Sequence, residues 1–116
     1  MDIEEYRKWC IQKNGVTEEF PFDNKTLVFK VFGKMFSLLD VEEFESVNLK
    51  CDPEIAIQLR EEYPGVKPGY HMSKKHWNTV SCDGSIPDKL ILKWTDDSYQ
   101  LVFDSLPKKI KDSVIK

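Results

Sequence analysis

Apolar residues recur at helical spacing in three parts of the chain. The first is 2–13, followed by Asn14-Gly15, residue types that end helices in a left-handed conformation. The second follows Asp52-Pro53, a capping residue and a proline suited to the first helical turn. The third opens at Ser85-x-x-Asp88 and ends before Pro107. The stripes expected to face the core are Ile3, Tyr6, Trp9 and Cys10; Ile55, Ala56, Leu59 and Tyr63; and Leu90, Ile91, Trp94, Leu101 and Val102.

Between these helices the pattern is typical of β-strands. The segments 26–32 and 34–41 are rich in β-branched and aromatic residues and flank Gly33, which predicts a hairpin. The segment 46–51 alternates polar with apolar residues, as a half-buried strand does. Two further short strands are predicted over 66–72 and 77–82. The sheet is therefore expected to have five strands.

The remaining segments carry weaker patterns. The segment 16–24 is interpreted as a loop in which Phe20 and Phe22 seal one edge of the core, since two exposed phenylalanines would be unfavourable. The tail 108–116 is basic and only weakly amphipathic.

The order of these elements predicts the fold class. We expect a single α+β domain over 1–116, a two-layer sandwich with helices on one face of an antiparallel five-stranded sheet, in the order α-β(3)-α-β(2)-α. The other face of the sheet is then the natural place for function. A chain of 116 residues is long enough for one self-sufficient core.

Composition excludes several classes of protein. With 41% hydrophobic and 32% charged residues, and no apolar run near the roughly 18 residues that span a bilayer, the chain is expected to be cytoplasmic, with no membrane contact. The three cysteines, Cys10, Cys51 and Cys82, are widely spaced, so we expect reduced thiols and neither disulfides nor a zinc site.

No cofactor motif is present, and we expect no enzymatic activity. A Cys82–His76 nucleophile and base pair can be imagined, but nothing in the sequence brings the two together.

Charge is unevenly distributed along the chain. The net charge is −3, yet 24–39 and 63–82 each carry three lysines and no acid. The stretch 63–82 also holds both histidines and three large aromatic residues. Lysines attract phosphates, and aromatic rings offer stacking surfaces for bases, so this composition suits a single-strand binder. The alternative is that Trp77 and Tyr70 belong to the core and that Lys74-Lys75 is a solvated turn.

Several blocks of the sequence resemble the MmcQ/YjbR family, in order and across nearly the whole chain. They are Glu19-Phe20-Pro21-Phe22, Leu27-Val28-Phe29-Lys30-Val31, Val47-Asn48-Leu49-Lys50-Cys51-Asp52-Pro53, Pro68-Gly69-Tyr70-His71-Met72, Lys75-His76-Trp77-Asn78-Thr79-Val80 and Leu106-Pro107-Lys108-Lys109. The resemblance implies a CyaY-like double-wing fold. It also implies a bacterial cytoplasmic protein of the kind labelled as a predicted DNA-binding protein.

These observations lead to two hypotheses of function. The first is a non-enzymatic DNA-binding or other nucleic-acid-binding domain. The candidate binding residues are Lys30, Lys34, Lys67, Tyr70, His71, Lys74, Lys75, His76, Trp77 and Asn78, with lysines on phosphates and Tyr70, His76 and Trp77 stacking on or orienting the ligand. The second is a protein-interaction module that uses the open sheet face or an edge strand. In either case we expect a monomer or a weak dimer.

Overall fold

The computed structural model describes residues 1–69 and 72–114. Within these residues there are four helices, α1 (Ile3–Ile11), α2 (Pro53–Glu62), α3 (Asp88–Asp104) and α4 (Lys108–Val114), and six strands, β1 (Val16–Glu19), β2 (Thr26–Val31), β3 (Lys34–Asp40), β4 (Ser46–Lys50), β5 (Val66–Pro68) and β6 (Trp77–Ser81). No helix in the described residues is long and apolar enough to cross a membrane.

The strands form one open antiparallel sheet in the order β1-β2-β3-β4-β6-β5. The α+β prediction is confirmed, but the predicted number of five strands is wrong. The additional strand is β1, which pairs with Val28–Val31 although the sequence of Val16–Glu19 predicts a loop. This short, polar sequence has no clear strand pattern, so the pairing with β2 decides its conformation.

Two element boundaries differ from the sequence predictions. Strand β5 ends at Pro68 instead of residue 72. Helix α3 begins at Asp88, and Pro87 at its N-cap provides no side-chain hydrogen bond. Ser85 lies before the helix, where its N–H donates to Asp83 Oδ1 (2.9 Å). The tail also contains α4, a helix that its weak amphipathicity did not predict.

The first two helices both have side-chain caps, and the cap at Asp52 confirms the prediction from sequence. Asp2 Oδ1 accepts from the Glu5 N–H (2.9 Å), and Asp52 Oδ1 accepts from the N–H groups of Glu54 (3.0 Å) and Ile55 (3.3 Å). Each cap satisfies amides that the helix itself leaves without partners.

The main core lies between the sheet and the helices. Its largest fully buried members are Tyr6, Phe29, Phe36, Leu39, Ile86 and Ile91. The buried Tyr6 hydroxyl lies 2.7 Å from Ser37 Oγ and 2.9 Å from Thr95 Oγ1, which joins α1, β3 and α3 through one polar group. The predicted apolar stripe of α3 is mostly correct, since Ile91, Trp94 and Val102 are buried, but Leu101 is exposed.

A hydroxyl from α3 connects β3 to β4 where the strand pairing ends. The register pairs Ser37 with Leu49, so Phe36 and Lys50 are the next residues that would face each other. Instead, Ser98 Oγ donates to the Phe36 carbonyl (2.6 Å) and accepts from the Lys50 N–H (2.9 Å). Ser98 thus links the two strands just beyond their last paired residues.

The opposite face of the sheet, here called the open face, has its own small apolar cluster. Val28, Leu38 and Trp77 are buried there, with Met35 and Met72 packed against them. Gly69, directly after β5, lies against Trp77, because its N–H donates to the Trp77 carbonyl (2.8 Å) and a Cβ at Gly69 would lie 2.7 Å from the Trp77 Cβ. The open face is therefore partly covered near β6.

We expect Ser98→Ala to lower the free energy of unfolding by about 1–3 kcal/mol, because it leaves the Phe36 carbonyl and the Lys50 N–H buried without their partner. Urea unfolding followed by circular dichroism would measure the change.

The matched control is Ser113→Ala. The exposed Ser113 hydroxyl donates only to the Ile110 carbonyl of its own helix (2.6 Å), so its loss should change stability by no more than about 0.5 kcal/mol. Equal effects of the two substitutions would show that the Ser98 bridge contributes nothing specific.

Candidate functional site

The sheet register places opposite charges at opposite ends of the open face. Lys30 faces Met35 across β2 and β3, and Lys50 faces Trp77 across β4 and β6, so both lysines lie at one end of the sheet. At the other end Thr26 faces Asp40 and Ser46 faces Ser81. We call the first the basic end and the second the acidic end. Their separation is not visible in the net charge of −3.

Three lysines at the basic end line a single cleft of about 470 Å³, called here the basic cleft. Lys30 comes from β2, Lys34 from the start of β3, and Lys50 from the end of β4. Its other walls are formed by Pro21, Phe22, Gly33, Met35, Trp77, Val102 and Ser105. Val102 and Ser105 belong to the end of α3, on the helical side of the sheet. They reach the cleft at the end of the sheet where Ser98 links β3 to β4.

The three lysines differ in their electrostatic partners. Lys30 Nζ lies 3.2 Å from Glu19 Oε2, and its side chain is only 21% exposed. Among the described residues, no carboxylate lies within 4.0 Å of the ammonium groups of Lys34 or Lys50. The cleft therefore keeps a positive potential, since one carboxylate accompanies three cations.

The turn between β5 and β6 extends the positive charge at the basic end. Lys74, Lys75 and His76 are exposed there. Lys74 Nζ donates to the Gly69 carbonyl (3.3 Å), and the Arg60 guanidinium donates to the Lys74 carbonyl, which fixes the turn against α2. The Cys51 N–H donates to the His76 carbonyl (2.7 Å), so the turn lies directly beside the end of β4.

The remaining candidates from the 63–82 stretch lie in different environments. Lys67 is exposed on the edge strand β5, opposite Thr79 and away from the basic cleft. Tyr70 and His71 lie outside the described residues, so their predicted roles stay predictions.

Two of the predicted binding residues are buried. Trp77 is 7% exposed and packs with Val28 and Leu38, so its ring has no free face for a base and the core alternative holds for it. Asn78 is 2% exposed and points to the helical side, where its Oδ1 accepts from Arg60 Nε (2.7 Å). Its predicted contact with a ligand on the open face is therefore wrong. Alternation along β6 sends neighbouring residues to opposite faces, which separates Asn78 from the lysines.

Lys50 and Phe22, two residues of the basic cleft that could contact a ligand, are not among the sequence candidates. Lys50 follows the alternation of β4, in which Ser46, Asn48 and Lys50 all point away from the core. It was missed because the acid-free stretches of sequence do not include it. The expectation that Phe20 and Phe22 seal the core is wrong, since they are 49% and 64% exposed. Phe22 lines the basic cleft and offers an accessible aromatic ring.

A second cleft occupies the acidic end of the open face. It has a volume of about 660 Å³ and shares Phe22 with the basic cleft. Its apolar wall includes Leu38 and Met72, and Asp40, Glu43 and Glu45 supply three carboxylates. A polyanion lying on the open face is therefore attracted at one end and repelled at the other.

Burial disfavours the thiolate form of two of the three cysteines. Burial raises the pKa of the Cys10 thiol to about 12 and that of Cys82 to about 11, so both are protonated at neutral pH. His76 and Cys82 flank the two ends of β6, about 20 Å apart at ~3.3 Å per residue, so they cannot act as a pair. Among the residues that the structure describes, no group of three or more His, Cys, Asp or Glu side chains could hold a metal ion.

Comparison with solved structures identifies relatives of this fold. A crystal structure of a Deinococcus radiodurans protein with a DUF419 domain superposes with a TM-score of 0.91 at 37% identity, covering 97% of this chain and 87% of that one. A crystal structure of a Pseudomonas syringae protein gives a TM-score of 0.74 at 27% identity and covers 87% of this chain and 98% of that one.

Comparison with known sequences defines the family. The chain is 35% identical to the uncharacterized Escherichia coli K12 protein YjbR over 117 aligned residues, covering all of this chain and 99% of YjbR. It is 40% identical over 91 residues to the uncharacterized Escherichia coli O157:H7 protein YbdF, covering 78% of this chain and 75% of YbdF. The profile of the YjbR family matches residues 11–101. The resemblance seen in the sequence blocks is thus confirmed, and the chain belongs to the YjbR family.

Proposed function

We propose that this protein is a non-enzymatic binder of single-stranded nucleic acid that uses the basic end of its open sheet face. The observation that carries the proposal is the basic cleft, which Lys30, Lys34 and Lys50 line together with apolar residues and the exposed ring of Phe22. Phosphate contacts supply most of the affinity in such complexes, and stacking on aromatic rings adds to it.

The phosphate contacts are assigned to two groups of cations. Lys34 and Lys50 can approach a phosphate without first losing a carboxylate partner among the described residues. Lys74 and Lys75 lie on the adjoining turn, which the Cys51–His76 hydrogen bond holds beside β4. A nucleic-acid strand that leaves the cleft toward this turn would meet a second pair of cations, Lys74 and Lys75. This path avoids the carboxylates of the acidic end.

The base contact is assigned to Phe22. Stacking needs an accessible ring face, which Trp77 does not offer and which Phe22, at 64% exposure, does. An unpaired base can reach this ring, whereas the stacked bases of a duplex cannot, which favours single strands over duplexes.

The protein-interaction alternative has weaker structural support at the sheet edges. Strand β1 has only four residues, two of which are glutamates, and strand β5 has three residues and ends in Pro68. Short, charged and proline-containing edges disfavour the addition of another strand.

We expect the triple variant Lys30→Ala/Lys34→Ala/Lys50→Ala to bind single-stranded DNA at least about tenfold more weakly than the native protein. The slope of the logarithm of its binding constant against the logarithm of the salt concentration should also be shallower. We expect a difference of about 0.7 for each phosphate that the variant no longer neutralises. Fluorescence anisotropy of a labelled oligonucleotide at about 50 and about 200 mM salt measures both quantities.

The matched control is Lys8→Ala/Lys89→Ala/Lys108→Ala, which changes the net charge equally through exposed lysines on the helices. Its affinity should stay close to that of the native protein. Equal losses in the two triple variants would mean that only net charge matters, and an absence of saturable binding at low salt would contradict the proposed function.

We expect Phe22→Ala to weaken binding of single-stranded DNA by about 1–3 kcal/mol, the usual contribution of one stacked base. Because the ring is largely exposed, the variant should unfold at nearly the same urea concentration as the native protein. The same anisotropy titration, repeated with a duplex of the same sequence, measures the effect.

The control for this experiment is Phe20→Ala, which removes a neighbouring exposed ring that does not line the basic cleft. Phe22→Trp should retain binding. If Phe20→Ala were as harmful as Phe22→Ala, the loss would come from the loop as a whole and the assignment of a stacking role to Phe22 would fail.

A further inference from the structure

The lysines of the basic cleft converge on one place instead of following a path. Lys30 on β2 and Lys50 on β4 are two positions apart in the strand order, and Lys34 begins the strand between them, so all three line one cavity. Side chains of this length can therefore meet around a single anionic group. A groove that binds a continuous nucleic-acid strand would instead have its cations distributed along its length.

We propose that the basic cleft binds a phosphomonoester, the terminal phosphate of a nucleic-acid strand or of a free nucleotide, in preference to the internal phosphodiesters of a strand. The proposal rests on the proposed function and specifies the chemical group that the cleft recognises. The Lys74-Lys75 turn then contacts the following internal phosphates without distinguishing strand ends.

The charge of the cleft matches that of the proposed ligand. A phosphomonoester carries about −1.5 to −2 at pH 7, whereas an internal diester carries a single charge. The three lysines, with Glu19 paired to Lys30, leave two net positive charges. A diester would leave one cation uncompensated beside the apolar floor formed by Met35 and Trp77.

The dimensions of the cleft also favour one terminal unit. A volume of about 470 Å³ lies in the range of small-ligand sites. Phe22 at the rim can accept the base of the same nucleotide whose phosphate reaches the lysines. One terminal nucleotide therefore satisfies both the cationic and the aromatic parts of the cleft.

The test compares two DNA oligonucleotides of about ten nucleotides, identical except for a 5′-phosphate or a 5′-hydroxyl, each labelled at its 3′ end. We expect the native protein to bind the 5′-phosphorylated strand about tenfold more tightly in anisotropy titrations at about 0.1 M salt. Competition by adenosine 5′-monophosphate, with adenosine as the control, then distinguishes a free nucleotide from a strand end as the source of the phosphate.

Three variants connect the preference to the cleft. Lys50→Gln should reduce the affinity ratio of the two oligonucleotides to about one. Lys74→Ala/Lys75→Ala should weaken both complexes and leave the ratio unchanged. Glu19→Gln, which frees Lys30, should raise the ratio, whereas Glu45→Gln at the acidic end should not.

The outcomes separate this inference from the proposed function. Equal affinity of the native protein for the two oligonucleotides would overturn the phosphomonoester preference while leaving nucleic-acid binding intact. A preference that persisted in Lys50→Gln would also overturn it, because the terminal phosphate would then be bound elsewhere. Failure to bind either oligonucleotide would contradict the proposed function itself.

Discussion

The Ser98 hydroxyl joins helix α3 to the two strands that border the candidate site. A serine in the middle of a helix usually contributes little, but here it donates to one strand and accepts from the next at the point where they would otherwise pair directly. At this end of the sheet, Val102 of α3 and its capping residue Ser105 line the basic cleft together with Lys50. Lys50, whose backbone N–H forms one half of the bridge, is positioned beside the opening by the same interaction.

The register of the sheet turns local sequence features into a directional surface. Lys30 and Lys50 are distant in sequence, yet antiparallel pairing places them at one end of the strands, while Asp40 and Glu45 lie at the other. Each strand also alternates between the two faces, so Lys50 remains on the open face while Leu49 joins the core. The candidate surface thus combines separate strands, and β2, β3 and β4 each contribute one lysine to it.

Periodicity was sufficient to predict the α+β class, two of the three predicted helix starts and most of the apolar stripe of α3. It could not predict β1, whose conformation depends on its partner strand. It also failed at Trp77 and Phe22, because the burial of an aromatic ring depends on which loop covers it. Met72 packs against Trp77, whereas Phe22 remains exposed. Alternation along β4 did contain the signal for Lys50, and applying it to every strand would have identified that residue.

The separation of charge along the strands also affects how this acidic protein approaches a polyanion. Strand β3, from Lys34 to Asp40, spans about 20 Å, more than twice the Debye length of about 8 Å at physiological ionic strength. A polyanion near the basic end is therefore screened from the carboxylates at the far end. Under the proposed function, productive encounters would be restricted to one orientation of the molecule, and the overall charge of −3 would not prevent association.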